Sequence, residues 1–201
     1  MKKPLITVSG PSGGGKNASL ALIMPLRPQL EVIVTTTSRQ MREGEQDGVH
    51  YYFRSPKKFE DMINKGKFFE WVKRGEDYYG TEKIAIDNIW DHKKIPVANV
   101  DLTGVRKYRD HFPSTFSIFV MPRKLSELEE RLRTHGGMPR AKIAWRLRKA
   151  EQEMVDFKEC CDAAFPIGTG LVATLASLML CQIDPYVKSH CGFVRKRNPP
   201  S

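Results

Sequence analysis

The chain has 201 residues, of which 28% are charged and 40% are hydrophobic, an ordinary composition for a soluble globular protein. This length predicts one compact domain with a buried core, and the sequence has no repeat or low-complexity run that would indicate a solenoid or a disordered chain. The formal net charge of +10 fits either a basic, soluble surface or an anionic partner, such as nucleic acid, a membrane surface or a phosphorylated small molecule.

The first predicted element is a strand at residues 5–9, which runs directly into the glycine-rich segment GPSGGGK. A helix is expected from about Asn17 and should end near Pro25, because proline is poor inside a helix. The spacing Gly10-x-x-x-x-Gly15-Lys16 between a strand and a helix is that of a phosphate-binding P-loop. A glycine-rich turn with a chance lysine is the alternative, which the flanking strand and helix disfavour.

The P-loop pattern predicts how a nucleotide would be held. Glycines let successive backbone N–H groups point at phosphate oxygens, and the helix adds its positive N-terminal end. Lys16 would add a positive charge for the β and γ phosphates. The residues assigned to ATP are Gly10, Ser12, Gly13, Gly14, Gly15, Lys16 and Asn17.

Asn17 departs from the usual P-loop chemistry. The residue after the lysine is usually a serine or threonine whose hydroxyl ligates Mg²⁺. Asparagine can offer a carbonyl oxygen, but its side chain is longer and its NH₂ group competes for the same position. The pattern therefore predicts ATP binding with Mg²⁺ as cofactor, and Asn17 is an imperfect candidate ligand for that metal.

Three further elements are predicted between residues 31 and 72. Residues 31–36 are rich in β-forming residues. Ser55 and Pro56 indicate a helix start, with serine as N-cap and proline at the first helical position, and Gly66 should close this helix. Residues 68–72 are expected to be extended.

Two arginines and a tyrosine lie between these elements. Arg39 and Arg42 are followed by Tyr51, and guanidinium and phenol groups are donors that suit a phosphate-sized anion. Solvated surface arginines are common, so this signal is weak by itself.

The rest of the chain alternates between helical and extended patterns. Such alternation predicts an α/β fold with a mainly parallel sheet and helices on both faces. The expected helices are residues 81–92, 125–133, 143–157 and 171–181, and the expected strands are residues 95–100, 116–120 and 163–167.

Residues 163–183 contain no charged side chain, which makes this segment a transmembrane candidate by length. Pro166, Gly168 and Gly170 interrupt its first half and favour a buried strand, a turn and a buried helix. We therefore interpret the segment as core and expect no membrane partner.

The four cysteines, Cys160, Cys161, Cys181 and Cys191, show no zinc-binding spacing, and the N-terminal residues do not resemble a secretory signal. A reducing cytoplasm is the expected compartment.

Several motifs together are similar to one known family. The chain resembles the guanylate kinase family in GPSGGGK, TSRQMREGEQDGVHYYF, FFEW, DYYGT and VDLTGV, which occur in that family's order over residues 5–148. The resemblance implies a P-loop parallel sheet flanked by helices and transfer of phosphate from ATP to GMP, with dGMP as a further candidate acceptor.

The resemblance also implies a role for each matching position. The GMP phosphate would be held by Arg39, Arg42, Tyr51 and Tyr79. The guanine ring would be bound by the carboxylates of Glu70 and Asp101, and its O6 atom would accept hydrogen bonds from the hydroxyls of Thr35 and Thr81. The catalytic candidates are Lys16, Arg39, Arg131 and Arg146. Guanine presents donors where adenine does not, so acceptor carboxylates are the expected means of discrimination.

The chain is expected to form a single guanylate-kinase-like domain. The core would comprise residues 1–37 and 80–185, with a GMP-binding lobe at residues 38–79 and a lid at residues 134–146. Residues 186–201 would form a basic tail. No nucleic acid partner is expected, and the sequence leaves a monomer and a homodimer equally open.

Some positions depart from the family pattern. His135 replaces a usual arginine of the lid, Asn99 a usual aspartate and Thr103 a usual glutamine, and Ile167-Gly168-Thr169 stands where an asparagine usually contacts adenine. These departures keep two alternatives open. One is a guanylate-kinase-like binding module with weak or no turnover, and the other is a related kinase for another phosphorylated small molecule.

Overall fold

The computed structural model describes residues 3–134, 138–167 and 172–190 of the chain. The strands are β1 Leu5–Ser9, β2 Leu30–Val32, β3 Thr36–Thr37, β4 Tyr52–Phe53, β5 Phe68–Arg74, β6 Asp77–Glu82, β7 Ile95–Asn99, β8 Thr115–Pro122 and β9 Ala163–Ile167. The helices are α1 Lys16–Ile23, α2 Pro56–Asn64, α3 Lys83–Asp91, α4 Leu102–His111, α5 Leu125–Thr134, α6 Arg140–Asp156 and α7 Val172–Ser189.

Five parallel strands form the main sheet, in the order β2-β7-β1-β8-β9. Side chains alternate between the two faces of a strand, and β1 is buried on both. Ile6 and Val8 pack on the face covered by α1 and α7. Leu5 packs on the other face, against Trp90 of α3 and Tyr108 of α4. The predicted α/β fold class is therefore confirmed.

A second, smaller sheet has the order β4-β3-β6-β5 and lies within residues 36–82. Phe59 of α2 is fully buried here and stacks on Phe68 of β5, with ring centroids 4.3 Å apart. The predicted start of α2 is confirmed, because the Ser55 side chain accepts a hydrogen bond from the Lys58 N–H and Pro56 is the first helical residue. This small lobe carries its own hydrophobic cluster.

Several predicted boundaries are wrong. Residues 31–36 do not form one strand, because the chain leaves the main sheet after Val32 and enters the small sheet at Thr36. Thr81 and Glu82 belong to β6 and not to a helix, since they pair with β5. Helix α6 begins at Arg140, with Pro139 as its N-cap, three residues before the predicted start.

Helix α4 and the strands β4 and β6 were not predicted. Helix α4 begins after Asp101, whose side chain caps it, and the helix buries Leu102, Val105 and Tyr108. The glycine at position 104 obscured this helical pattern, because glycine is a poor helix former. Strand β6 pairs with β5 across the turn at Gly75 and Glu76, and with β3, which is distant in the sequence.

The uncharged segment forms part of the core. Residues 163–167 are strand β9, as predicted, and α7 continues past the predicted end because Met179, Ile183 and Val187 extend its buried stripe. Among the helices of the described ranges, none has the length and apolar character needed to cross a membrane. The structure therefore agrees with the interpretation of this segment as core.

Tyr186 of α7 anchors that helix to the main sheet. Its hydroxyl accepts a hydrogen bond from the Leu5 N–H at 2.9 Å and donates to the Ser114 carbonyl, and its ring stacks on Phe116. Burial raises the pKa of this phenol to about 12.

We expect Tyr186→Phe to lower the free energy of unfolding by about 1–3 kcal/mol, because it leaves buried backbone groups without a partner. Urea denaturation followed by circular dichroism measures this change. Tyr52→Phe is the matched control, since no hydrogen bond of the Tyr52 hydroxyl is found within the described ranges. Equal stability of the two variants would show that Tyr186 does not anchor α7.

Candidate active site

A cleft of about 1160 Å³ lies at the carboxyl ends of β1 and β7, between the small lobe and helices α5 and α6. Open α/β sheets bind ligands at this edge. It is lined by most of the predicted site residues: Gly10, Ser12, Gly13, Gly15, Lys16, Asn17, Thr35, Arg42, Tyr51, Glu70, Tyr79, Asp101, Arg131 and Arg146. Three predicted residues, Gly14, Arg39 and Thr81, are not among the residues that line it. The structure thus brings both halves of the predicted site together.

The loop after β1 can close only with glycines. A β-carbon at Gly10 would lie 1.9 Å from the Val120 carbonyl oxygen, and Gly10 has a φ of 142°. Gly15 has a φ of 97°, and a β-carbon there would lie 2.7 Å from Ile167. Gly14 closes the turn by donating its N–H to the Pro11 carbonyl at 2.9 Å. The loop therefore presents the N-terminus of α1 to the cleft.

Lys16 lies across this loop. Its ammonium donates to the carbonyl oxygens of Gly10 and Pro11, the second at 3.0 Å. Burial lowers the pKa of Lys16, and the nearby carboxylates of Glu153 and Asp101 oppose that shift. A largely buried cation at the end of a glycine loop is a strong site for an anionic phosphate.

Asn17, the candidate metal ligand, is paired with Asn99. The Asn99 Nδ2 atom donates to Asn17 Oδ1 at 2.7 Å, because the pairing of β1 with β7 brings Asn99 to the edge beside the P-loop. An amide carbonyl is a neutral oxygen donor of the kind that Mg²⁺ accepts. The donor set at this point therefore fits Mg²⁺ held together with a nucleotide, without a carboxylate of its own.

The two predicted guanine carboxylates are both held by the fold. Thr81 donates to Glu70 at 2.8 Å across the β5–β6 pair, so the hydroxyl expected to donate to guanine O6 donates to Glu70 in this structure. Burial raises the pKa of Glu70. Asp101 caps α4 by accepting from the Gly104 N–H at 3.0 Å, and its other oxygen accepts from Arg74 at 3.4 Å.

The two predicted arginines of the small lobe, Arg39 and Arg42, occupy different positions relative to the cleft. Arg39 donates to Glu45 at 2.7 Å, and its guanidinium lies 5.6 Å from the centre of the Tyr51 ring. Glu45 also accepts from the Arg42 N–H, and these contacts lower the pKa of Glu45 to about 2. Arg39 therefore supports the wall of the cleft, whereas Arg42 and Tyr79 line it.

Four charged residues of the cleft were not predicted: Arg74, Lys107, Lys149 and Glu153. On α6, Lys149 and Glu153 follow Arg146 at spacings of three and seven residues, so one face of the helix carries all three. Lys149 and Glu153 form an ion pair at 3.5 Å, and burial raises the pKa of Glu153. The predicted helix already contained this spacing, which could have identified both residues.

The predicted lid is only partly described. Arg140–Arg146 form the first turns of α6, while His135 lies outside the described residues. The same holds for Gly168 and Thr169, and for residues 191–201 of the predicted tail. The predicted start of the tail at residue 186 is wrong, because α7 continues to Ser189 and buries Val187.

A parallel sheet whose first strand enters a glycine loop that ends in Lys16 defines a P-loop nucleotide-binding protein. Comparison of the sequence with known proteins identifies the family within this class. The family model for guanylate kinase matches residues 1–165. The chain is 39% identical to the guanylate kinase of Vibrio vulnificus strain YJ016 over 160 aligned residues. The alignment covers 79% of this chain and 77% of that protein.

Two further comparisons agree. The guanylate kinase of Nostoc sp. strain PCC 7120 is 39% identical over 150 residues, 75% of each chain. The crystal structure of guanylate kinase from Anaplasma phagocytophilum covers 90% of this chain and 84% of its own, with a TM-score of 0.67 and 21% identity, and supports the fold. The chain belongs to the guanylate kinase family.

The close contact at Gly10 generates a stability prediction. Gly10→Ala should lower the free energy of unfolding by more than about 4 kcal/mol or prevent folding, because the new methyl group overlaps a backbone carbonyl. Gly75→Ala is the matched control: Gly75 also has a positive φ, 66°, but nothing lies within 4 Å of an added β-carbon. The control should lose only about 1–2 kcal/mol.

Urea denaturation of both variants tests this contrast. Similar losses in the two proteins would mean that the backbone of β8 does not constrain the loop.

Proposed function

We propose that the protein transfers the γ-phosphoryl group of ATP to the phosphate of GMP, giving ADP and GDP. This reaction is the function of the guanylate kinase family. The observation that carries the proposal is that the glycine loop with Lys16 and the acidic pair Glu70 and Asp101 open into one cleft. A donor and an acceptor nucleotide bound there would have their phosphates between the two groups.

On the donor side, the N–H groups of the glycine loop would bind the ATP phosphates. Lys16 would move from the loop carbonyls to phosphate oxygens, which are better acceptors for a buried ammonium. When bound with ATP, Mg²⁺ would supply further neutralisation of phosphate charge, and Asn17 Oδ1 is the oxygen that would hold it.

On the acceptor side, the carboxylates of Glu70 and Asp101 would accept from the ring N–H and the amine of guanine. Thr35 would donate to the guanine O6 atom. Because Thr81 donates to Glu70, we assign it the orientation of that carboxylate. Arg42, Tyr51 and Tyr79 would donate to the GMP phosphate, and Arg39 would support Tyr51 from behind and complete this anion site.

The transfer itself would need no general base, because the acceptor phosphate is already an anion. Positioning and positive charge would then supply most of the catalysis. Lys16, Arg131 and Arg146 line the cleft and would stabilise charge on the transferred group. Closure of the small lobe and α6 over both nucleotides would exclude water, which would otherwise accept the phosphoryl group.

We also propose a cytoplasmic location and no nucleic acid or membrane partner. The cysteines of the described ranges, Cys160, Cys161 and Cys181, are free thiols, which suits a reducing compartment. The basic groups of the cleft are accounted for by the phosphates of two nucleotides.

An assay of ADP formation from ATP and Mg²⁺ tests the function directly. GMP should support turnover at a kcat/KM at least about 100-fold above that for AMP, CMP and UMP, since these bases lack the donor pattern that the carboxylates require. ATP and GMP binding without ADP formation would instead favour the binding module. A preference for another acceptor would favour a related kinase.

Lys16→Met should lower kcat by at least about 100-fold, because the side chain stays unbranched and nearly as long but loses its charge at the phosphates. The steady-state rate with saturating ATP and GMP measures this loss. Lys57→Met, at an exposed position of α2, should behave as the unchanged protein. A near-normal rate for Lys16→Met would place the ATP site elsewhere.

Glu70→Gln should lower kcat/KM for GMP by about 5- to 150-fold, equal to about 1–3 kcal/mol, while KM for ATP stays unchanged. The amide replaces an acceptor oxygen by a donor that faces the donors of guanine. Glu76→Gln, at the exposed turn of the same hairpin, is the control. Unchanged GMP kinetics for Glu70→Gln would refute the guanine assignment.

The raised pKa of Glu70 gives this site a pH dependence. Only the ionised carboxylate accepts from both guanine donors, so GMP affinity should fall as pH falls through the Glu70 pKa. Because burial raises that pKa, the fall should begin at a higher pH than for an ordinary glutamate. Calorimetric titration of GMP across pH should show this step in the unchanged protein and not in Glu70→Gln.

A further inference from the structure

Two amide side chains meet beside the P-loop. Asn17 is the second residue of α1, and Asn99 is the last residue of β7. Asn99 Nδ2 donates to Asn17 Oδ1 at 2.7 Å, and both side chains are exposed to the cleft. Within the described ranges, this is the hydrogen bond that orients the Asn17 side chain.

Asn17 and Asn99 lie at the place where other P-loop enzymes bind the metal ion of the nucleotide with different side chains. Those enzymes hold the metal of the nucleotide with a serine or threonine hydroxyl after the lysine and with an aspartate. This chain has an amide at the first position, and Asn99 stands where the family usually has an aspartate. Both departures therefore fall on two residues that contact each other.

The direction of the hydrogen bond matters. An asparagine can present either its oxygen or its NH₂ group, and an NH₂ group next to a cation is repulsive. Donation from Asn99 uses one lone pair of Asn17 Oδ1 and fixes which end of that amide is the oxygen. The carbonyl oxygen keeps a second lone pair for another partner.

The neighbouring carboxylates have partners of their own. Asp101 accepts from Gly104 and Arg74, and Glu153 is paired with Lys149. The neutral oxygen of Asn17 is therefore the group at this end of α1 that is suited to a metal ion.

We propose that Asn99 is a positioning residue for Asn17, and that the two amides act as one unit which holds Asn17 Oδ1 toward the metal ion of the bound nucleotide. This inference rests on the proposed function at the P-loop. It explains how a neutral pair can replace a hydroxyl and a carboxylate.

The unit predicts that single substitutions disturb the pairing. In Asn17→Ser, the shorter side chain leaves the Asn99 NH₂ group without its acceptor. In Asn99→Asp, two acceptor oxygens face each other, so Asn17 must turn its NH₂ group toward Asp and its oxygen away. In the double variant, no amide is left at position 17 to turn away, so the penalty that Asn99→Asp incurs beside Asn17 is removed.

A double-mutant cycle tests the unit without measuring turnover. The affinity for Mn²⁺, read from the loss of its free electron paramagnetic resonance signal, is measured in the presence of the non-hydrolysable analogue AMP-PNP. The four proteins are the unchanged chain, Asn17→Ser, Asn99→Asp and the double variant. We expect the double variant to bind Mn²⁺ at least about tenfold tighter than the product of the single effects predicts.

Asn88→Asp, an equal charge change on the exposed side of α3, is the control and should leave Mn²⁺ affinity unchanged. Single effects that multiply to within about twofold of the double variant would overturn the pairing, and so would an equal gain in the control. AMP-PNP affinity in the presence of EDTA, measured for all four proteins, separates any change in nucleotide binding from the change in Mn²⁺ affinity. Failure of the unchanged chain to bind AMP-PNP would overturn the proposed function itself and this inference with it.

Discussion

The contact between Gly10 and the backbone of β8 constrains the whole site. A β-carbon at position 10 would lie 1.9 Å from the Val120 carbonyl oxygen, so the chain leaves β1 pressed against the neighbouring strand. This close approach sets where α1 begins and where Lys16 lies. It depends on β1 being a central strand, buried on both faces between β7 and β8. Nucleotide binding therefore depends on how the main sheet is packed.

On the acidic side of the cleft, each of the two carboxylates also makes a hydrogen bond that stabilises the fold. Glu70 accepts from Thr81 across the β5–β6 pair, and Asp101 caps the helix that packs on the main sheet. Both side chains are thus fixed before a ligand arrives, which lowers the cost of ordering them on binding. Burial raises the pKa of Glu70, and the hydrogen bond from Thr81 that orients this carboxylate opposes the shift, so orientation and pH sensitivity have separate origins.

The prediction of the donor half of the proposed site rests on a local signal. The glycine spacing, the strand before it and Lys16 lie within one short segment, and each has a direct physical reason. The acceptor half needed the family resemblance, because Glu70 lies in one sheet and Asp101 follows a strand of the other, and the two are distant in the sequence. Long-range contacts also hid the division of residues 31–36 and left the Asn17–Asn99 contact unforeseen. Roles that depend on which partner a side chain chooses, such as that of Arg39, follow from packing and not from spacing.

The central claim is that one cleft holds an adenine nucleotide at the P-loop and a guanine nucleotide at the acidic pair at the same time. An analogue in which adenosine and guanosine are joined by a polyphosphate chain tests this claim, with affinity measured by calorimetry. It should bind at least about 100-fold tighter than GMP or ATP alone, because the second site is then filled at high effective concentration. A diadenosine analogue of the same length should show no such gain. Equal affinities for the two analogues would contradict the account.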